Sequence, residues 1–444
     1  MDVTGLRGSV HGVLGVSGPD WAFMTVHSIR LFLAALLCSV ALGGCNLGVG
    51  SSAPPPSGGL TVAPGNGYVT ISWNADVGVE YWLVYAPTTS IATSDTTWPA
   101  GHTWVMKVTS PYVLSGLTNG TLYSFAMNGR IDGGQGGAST ASVSATPRAS
   151  GGYWSAGSAM AQDMHGIAYG TASDSTADYV AVGNAGAIYQ GLDGVTWTAV
   201  TGQTANFTAA VYAFRNFVAL DDTGNFYRST DIATWTAGTN AGARMNAVAT
   251  NSTLAVAVGQ GGRIYTSADA ITWTAATSSQ TVGTQDLYGV TYSNTGVWVA
   301  VGSAGAIYTS TDGDTWVDHS MGGNTLRAVA VLQSGTVFTY VAVGLGGAGW
   351  ISSDGTTWTS LGGSGLAGDF YALDAANDQF VAVGAAGIAF ASANGSAWAQ
   401  TTPTGGGTGV VSTAASGAQT LYALKAVAAQ LVAVGATGVN ITSK

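Results

Sequence analysis

Tryptophan recurs at a regular interval through the last two thirds of this chain. Seven tryptophans end similar segments that lie about 40 residues apart, and each segment holds short alternating apolar runs. They are Trp154, Trp197, Trp235, Trp273, Trp316, Trp358 and Trp398. Such a repeat is typical of a β-propeller or a related array. The repeat indicates the fold but not the function, so the function must be argued from the residues of a site.

Each unit predicts four short strands with a glycine turn after the second. In one unit the strands are expected at 287–292, 299–302 and 306–310, with the fourth after Trp316. A tight hairpin needs a residue with positive φ, which glycine adopts without strain. The turn glycines are Gly186, Gly224, Gly262, Gly305, Gly347, Gly387 and Gly438. Their number agrees with the number of tryptophans.

The first and last units are incomplete in complementary ways. Trp154 precedes the first complete unit, and the last unit stops at Ile441-Thr442-Ser443-Lys444, where its tryptophan strand should begin. We expect Tyr153-Trp154-Ser155 to supply the outer strand of the last blade, because a shared blade removes two exposed sheet edges. Residues 151–444 are therefore predicted to form a seven-bladed β-propeller closed by a shared terminal blade.

Residues 60–148 predict a separate all-β unit. The segments 68–73 and 81–85 alternate with period two, as half-buried strands do. Trp73 in an early strand, Leu117 ahead of Tyr123, and the closing Ala145-Thr146-Pro147 resemble a fibronectin type III domain. The resemblance covers the whole unit and implies a β-sandwich with these aromatics in its core. In exported bacterial proteins such a sandwich is usually a spacer, and less often an adhesion or sugar-binding module.

Composition excludes several classes. Only 8% of the 444 residues are charged and the net charge is −10. A helical or coiled-coil protein needs far more charged helix formers. Nucleic-acid binding depends on neutralising phosphates with Lys and Arg, so no nucleic-acid partner is expected. The acidity is interpreted as a solubility feature.

The N-terminal 45 residues have the layout of a secretory signal peptide. An apolar run at 31–42 follows Arg30, and it is too short to span a bilayer comfortably. Leu42-Gly43-Gly44-Cys45 resembles a bacterial lipobox, which implies a lipid on Cys45 and a membrane anchor through it. The alternative is a plain signal peptide with Cys45 free. The stretch before Met24 does not fit a signal peptide, so Met24 is a candidate start.

If Cys45 carries the lipid, Cys38 lies in the removed segment and no disulfide is expected. The lipoprotein resemblance implies an outer-membrane location, because Asn46 stands where Asp would retain the protein at the inner membrane. Residues 46–59, with three consecutive prolines at 54–56, predict a tether that holds the folded part off the membrane.

Acidic turns precede several of the tryptophans. Ser353-Asp354-Gly355-Thr356-Thr357-Trp358 resembles the Asp-box of bacterial-neuraminidase repeats, and the other units hold degraded copies, with Asn394 in place of Asp in one. We expect these side chains to cap their own turns rather than bind calcium or catalyse, because Asn keeps turn chemistry but not charge. The repeats resemble non-sialidase propellers, including the photosystem II assembly factor group. The arginine-rich patch of those factors has no counterpart here.

A sialidase needs an arginine triad, a tyrosine nucleophile assisted by glutamate, and an acid/base aspartate. The one glutamate, Glu80, lies in the first unit, and the propeller arginines occupy different repeat positions. Another glycosidase needs two carboxylates across a cleft. The candidates are Asp221 with Asp222, Asp374 with Asp378, and Asp312 with Asp314 and Asp318. All lie in or near turns, so an envelope glycoside hydrolase is an alternative only. No cofactor and no metal site are expected.

One set of residues is a candidate ligand site. Aligning the units on their turn glycines brings seven residues to one repeat position, early in the first strand: His165, Thr208, Asn246, Tyr288, Arg327, Tyr371 and Tyr422. That strand lines a propeller's channel, so these residues should ring one mouth. Their aromatic faces and polar groups suit a glycan or a peptide. The alternative is a ring that only fills the channel.

The sequence thus favours an exported, lipid-anchored, non-catalytic binding protein. A scaffold for the assembly of envelope proteins is a further alternative.

Overall fold

The structure is a computed structural model that describes residues 50–92, 101–149, 151, 154–277, 282–376, 378–401, 419–427 and 430–443. The lipobox with Cys45, the candidate start Met24, and Tyr153 lie outside these ranges. Within them the secondary structure is almost entirely β, with a few short 3-10 turns. No helix in the described part has the length and apolar character needed to cross a membrane.

The first unit consists of two sheets that enclose one apolar core. The strands are β1 (Ser52–Ala53), β2 (Thr61–Gly65), β3 (Tyr68–Ser72), β4 (Glu80–Ala86), β5 (Thr103–Val108), β6 (Tyr112–Ser115), β7 (Tyr123–Arg130) and β8 (Val143–Ala145). One sheet has the order β1-β7-β4-β5 with β8 also on β7, and the other has the order β2-β3-β6. Ile71, Leu83 and Phe125 are fully buried between them. The alternating pattern of these strands therefore has its predicted effect, since one face of each sheet builds the core.

The predicted tether begins to fold earlier than expected. Ser52 and Ala53 pair with Arg130 and Gly129 as an edge strand of the larger sheet. The prediction that 46–59 is entirely a tether is therefore wrong at these residues. A two-residue strand flanked by Ser and Pro carries too little periodicity to be recognised in a sequence.

The repeats form seven antiparallel sheets of four strands in the described residues, named here sheet 1 to sheet 7 in chain order. Sheet 1 holds β10 (Met164–Thr171), β11 (Ala177–Gly183), β12 (Ile188–Gly191) and β13 (Thr198–Val200); sheet 2 holds β14 (Phe207–Ala213), β15 (Asn216–Asp221), β16 (Asn225–Ser229) and β17 (Thr236–Asn240); sheet 3 holds β18 (Met245–Thr250), β19 (Ala255–Gly259), β20 (Ile264–Ser267) and β21 (Thr274–Ala275). In each, the chain runs from the first strand outward.

The later sheets repeat this order. Sheet 4 holds β22 (Leu287–Tyr292), β23 (Trp298–Gly302), β24 (Ile307–Ser310) and β25 (Val317–Asp318); sheet 5 holds β26 (Leu326–Ser334), β27 (Val337–Gly344), β28 (Gly349–Ser352) and β29 (Thr359–Ser360); sheet 6 holds β30 (Phe370–Ala376), β31 (Gln379–Gly384), β32 (Ala389–Ser392) and β33 (Ala399–Gln400). Sheet 7 holds β34 (Leu421–Val427), β35 (Gln430–Gly435), β36 (Asn440–Ser443) and, from far earlier in the chain, β9 (Ser155–Ala156).

The seven sheets follow one another in a ring. The first strand of each sheet contacts the first strand of the next, and β34 of sheet 7 contacts β10 of sheet 1. Six of the second strands end in Val-Ala-Val-Gly, and this segment is buried because neighbouring sheets cover it on both faces. The core is therefore a series of apolar layers between successive sheets.

The outer strand of sheet 7 comes from the start of the repeats. Ser155 pairs with Thr442 and Ala156 with Ile441, while Trp154 is buried against sheets 6 and 7. The paired residues thus overlap the predicted segment 153–155 at Ser155 and extend one residue beyond it. This pairing covers the last edge that sheet 7 would otherwise expose.

Short 3-10 turns join the second and third strands in six of the sheets. They are Asn184–Gly186, Gln260–Gly262, Ser303–Gly305, Leu345–Gly347, Ala385–Gly387 and Ala436–Gly438. The middle and last residues of each have positive φ, as at Ala304 (53°) and Gly305 (68°). A Cβ on Gly305 would overlap the backbone oxygen of Gly322. The requirement for glycine at these predicted turn positions is therefore both conformational and steric.

Candidate functional site

The first strand of every sheet in the ring carries a β-bulge at its second residue. In sheet 1, Met164 pairs with Gly183 and Gly166 with Val182, so His165 between them has no partner across the strand pair. The bulged residues are His165, Thr208, Asn246, Tyr288, Arg327, Tyr371 and Tyr422. A bulge redirects a side chain out of the ordinary alternation of a strand. All seven predicted ring residues thus share one unusual backbone geometry.

These seven side chains line one cavity of about 380 Å³ at the ring's axis. The structure therefore brings together every residue of the predicted site. Arg244 joins the lining and was missed by the alignment on turn glycines, because it precedes the strand that carries Asn246. The sequence signal that could have identified Arg244 is the period-two alternation of side chains along a strand, since Arg244 lies two residues before Asn246.

Five of the side chains form a continuous arc of contacts around the cavity. The guanidinium carbon of Arg327 lies 4.0 Å from the ring centre of Tyr288 and 5.8 Å from that of Tyr371. The rings of Tyr371 and Tyr422 are 5.7 Å apart, edge to face, and those of Tyr422 and His165 are 4.8 Å apart. Cation–π and edge-to-face contacts of this kind fix each plane against the next. We call these five residues the aromatic arc.

The other two ring residues are engaged with the backbone. Thr208 Oγ1 lies within hydrogen-bonding distance of the carbonyls of Leu220 (3.2 Å) and Met245 (2.5 Å). The Asn246 side-chain amide donates to the Leu287 carbonyl at 2.8 Å, and its oxygen accepts from Arg244 Nε at 2.9 Å. These two side chains tie successive sheets together, so the groups available to a ligand lie mainly in the aromatic arc.

Burial shapes the protonation of the arc. Burial lowers the pKa of His165, an effect that nearby Asp163 opposes, so the neutral imidazole is favoured. Burial also raises the pKa of the Tyr288 and Tyr422 phenols, which therefore stay protonated as hydrogen-bond donors at neutral pH. The arc thus offers phenol donors, a neutral imidazole and one fixed cation.

An apolar belt lies beneath the ring. Two residues further along each first strand are Ile167, Ala210, Val248, Val290, Val329, Leu373 and Leu424, and they line both this cavity and a second one of about 420 Å³. The second cavity also meets Tyr169, Tyr212 and Tyr292. The belt therefore separates a polar mouth at the arc from the opposite end of the channel.

Solved structures of other proteins superpose on about two thirds of this chain. YCF48 from Cyanidioschyzon merolae superposes with a TM-score of 0.50 at 17% identity, over 66% of this chain and 98% of that chain. A structure of YCF48 bound to D1 peptide superposes with a TM-score of 0.50 at 16% identity, over 65% of this chain and 94% of that one. The fold is a β-propeller. No protein-family model matches the sequence, and a search of curated proteins found no match.

The acidic turns of the propeller have a structural role. Asp354 Oδ1 accepts the backbone N–H of Thr356 and of Thr357, both at 2.7 Å, and the Ser352 hydroxyl at 2.9 Å. Asn394 accepts the equivalent N–H groups at 2.9 and 3.1 Å. The prediction that these side chains cap their own turns is confirmed. These hydrogen bonds lower the pKa of Asp354, the opposite of what a general acid requires.

Most of the candidate catalytic carboxylates are likewise occupied by hydrogen bonds within the protein. Asp221 accepts hydrogen bonds from the side chains and backbone of Thr223 and Asn225, and Asp374 accepts the N–H of Ala426 at 2.8 Å. Hydrogen bonds from Asn206, Thr277 and Ser320 are accepted by Asp222, Asp314 and Asp318, respectively. Asp312 caps its own turn. Asp378 lies in a turn and has a positive φ. None of them lines the cavity at the aromatic arc. In the described ranges, no cluster of His, Cys, Asp and Glu has metal-binding geometry.

Proposed function

We propose that this chain is a non-catalytic binding protein that holds a polypeptide segment at the propeller mouth lined by the aromatic arc. The observation that carries the proposal is the arc itself, since five planar side chains are ordered against one another around a cavity that fits a few residues. Rigid aromatic side chains give contact area at low entropic cost, and phenols, imidazole and guanidinium supply directional hydrogen bonds.

Two further features support this proposal. One structural neighbour, YCF48, is described as bound to a D1 peptide, so a propeller of this shape is compatible with a peptide ligand. The belt beneath the arc gives the mouth an apolar floor, which favours a short inserted segment over a through-running chain. A glycan is the alternative ligand, because tyrosine faces also stack on sugars.

We also propose the finer architecture. The seven sheets are blades of a seven-bladed propeller, and the strand Ser155–Ala156 closes the ring through a shared terminal blade. The capped turn before Trp358 is an Asp-box, and the capped turns before the other tryptophans are degraded copies of it. The first unit is a fibronectin type III sandwich that acts as a spacer; the Thr118 N–H donating to the Tyr123 hydroxyl at 3.3 Å supports this assignment.

For location, we propose that residues 1–45 are a signal peptide and that a lipid on Cys45 anchors the protein at the outer membrane of the cell envelope. The motif Leu42-Gly43-Gly44-Cys45 and the apolar run before it support this. A Cys45→Ala variant should move from the detergent phase to the aqueous phase on cell fractionation. Continued partitioning into detergent contradicts the lipid anchor.

The binding proposal is tested on a peptide array and a glycan array probed with the full chain. Replacing Tyr288, Arg327 and Tyr371 with Ala should abolish binding while the circular dichroism spectrum stays unchanged. The matched control is Tyr292→Ala, because Tyr292 lies on the same strand but lines the opposite end of the channel. Tyr292→Ala should leave binding unchanged. Binding that survives the triple change excludes the mouth at the aromatic arc as the site, and loss of binding in Tyr292→Ala then points to the opposite end of the channel.

The glycan array, cross-linking and a turnover assay together separate the rival functions. Saturable binding on the glycan array alone makes the protein a carbohydrate receptor. Partners captured by cross-linking that persist after the triple change favour an envelope assembly scaffold that uses the outer faces. Glycan turnover that disappears on Asp→Asn changes supports the glycoside hydrolase alternative.

A further inference from the structure

The cation at the centre of the aromatic arc, Arg327, has no hydrogen-bond acceptor among the residues that the structure describes. Arg327 makes no hydrogen bond and no ion pair with any described residue, and its Nε is buried without a partner. The ion pair of the described residues, Lys107–Glu80, lies in the first unit. A half-buried guanidinium has five donors, and leaving them unsatisfied is unfavourable unless water or a ligand completes the site.

The second cation at this mouth points to the same chemistry. Arg244 also lines the cavity, and its Nε donates a hydrogen bond to the neutral side chain of Asn246. The charged side chains that line this cavity are these two arginines, in a chain whose net charge is −10. Guanidinium groups pair in a bidentate manner with carboxylates, and stacking on an aromatic ring leaves their in-plane donors available.

Three aspartates lie around the two arginines, but their carboxylates do not enter the cavity. Asp163, Asp286 and Asp369 each stand immediately before a first strand, and none of them lines the cavity. One oxygen of each accepts a backbone N–H from a turn of the neighbouring sheet, at 2.7 to 2.8 Å. The rim is therefore acidic while the interior is basic. A ligand with many negative charges is repelled by the rim, whereas a single carboxylate can reach the arginines.

From these observations we infer that the segment held at the arc inserts one carboxylate group between Arg327 and Arg244 and is otherwise uncharged or basic. The inference rests on the proposed function and specifies its ligand. The carboxylate accepts the in-plane donors of Arg327 while Tyr288 and Tyr371 flank it. The rim aspartates then disfavour further acidic residues nearby and favour basic ones.

The test uses small probes that do not require the natural partner. The full chain, with isotope-labelled arginine, is titrated with N-acetylglutamate α-amide, with its uncharged counterpart N-acetylglutamine amide, and with an acetylated, amidated triglutamate. The side-chain Nε–H resonance of Arg327 should shift saturably with the first probe and not with the second. Arg130, whose Nε is likewise buried and unpartnered but lies over Trp82 in the sandwich, is the internal control and should not move.

Two substitutions test the carboxylate site further. Arg327→Gln should weaken binding of the glutamate probe about tenfold or more, since hydrogen bonds to a charged group are the strong ones. Asp369→Asn keeps an acceptor for the Gly346 N–H and should tighten binding several-fold by removing rim charge. Equal shifts with glutamate and glutamine probes overturn the inference, and so does triglutamate binding much more tightly than the single glutamate.

The outcome is separable from that of the proposed function. Peptides that bind on the array at the arc, with no preference for a carboxylate, leave the binding function standing and remove this inference. A blank peptide array together with a saturable shift at Arg327 keeps the carboxylate site and removes the polypeptide proposal.

Discussion

Oδ1 of Asp163 accepts a hydrogen bond of 2.7 Å from the backbone N–H of Thr437, and this contact joins sheet 1 to the turn of sheet 7. The same bond recurs inside the ring: Asn206 holds Ala185, Asp286 holds Gly261 and Asp369 holds Gly346. In each case the acceptor belongs to the following sheet and the donor has positive φ. The ends of the ring are thus fastened by the device that links neighbouring sheets elsewhere.

Removal of this contact should destabilise the propeller modestly. We expect Asp163→Ala to lower the free energy of unfolding by about 1–2 kcal/mol, because the Thr437 N–H loses a charged acceptor. Asp163→Asn keeps the acceptor and should lower it by less than about half of that. Urea unfolding of each variant measures the difference. The control Asp369→Ala breaks the equivalent bond to Gly346 within the ring. If Asp163→Ala has almost no effect while Asp369→Ala destabilises the protein, closure does not depend on this contact.

The sequence predicted the ring position but not its geometry. Alignment on the turn glycines placed Tyr288 and Arg327 at one repeat position, although Tyr288 lies 17 residues before Gly305 and Arg327 lies 20 residues before Gly347. It did not predict that both are bulged, since a bulge depends on pairing that hydrophobic alternation does not encode. The stacking of Arg327 between two tyrosines depends on three sheets at once, and no local pattern contains it.

Local chemistry was the most predictable part. Capping by Asp354 and Asn394 follows from side chains that bond their own backbone within three residues. By contrast, Ser52–Ala53 and Arg244 were missed, because their roles depend on a distant strand and on the channel. Short-range hydrogen bonding was thus readable from the sequence, whereas long-range contacts were readable only where the repeat itself implied them.

The turn glycines should be intolerant of any side chain. Gly305→Ala adds a Cβ that overlaps the backbone of Gly322 and places Ala at a φ of 68°. We expect a loss of stability of about 2 kcal/mol or more, combining left-handed strain with a steric clash. Gly242→Ala is the matched control, because Gly242 has a φ of 72° but no atom lies within 4 Å of its added Cβ. Thermal unfolding that shows equal losses for the two contradicts the steric part of the argument.

The acidic turns should tolerate loss of charge but not loss of the acceptor. Asp354→Ala removes the acceptor of two backbone N–H groups and should cost about 1–2 kcal/mol of stability. Asp354→Asn should cost less than about 0.5 kcal/mol, since Asn394 makes the same contacts in sheet 6. The reciprocal change Asn394→Asp is the control and should be near neutral. A large loss for Asp354→Asn, measured by urea unfolding, indicates a role for the charge itself.

His165 should make the propeller less stable in mild acid. Burial lowers its pKa in the folded state, so the unfolded chain binds more protons over the interval below its ordinary pKa of about 6.5. The stability associated with the neutral imidazole is therefore complete above about pH 6.5 and is lost as the pH falls towards the folded pKa. Asp163 favours the charged imidazolium, whereas burial and Arg244 oppose it, so their balance sets the pH interval over which stability is lost.

Urea midpoints measured between about pH 7.5 and 5.5 should fall for the wild type and fall less for His165→Gln. His319→Gln, which removes a histidine outside the cavity, should keep the wild-type dependence. Parallel profiles for the wild type and His165→Gln show that this imidazole is not the titrating group.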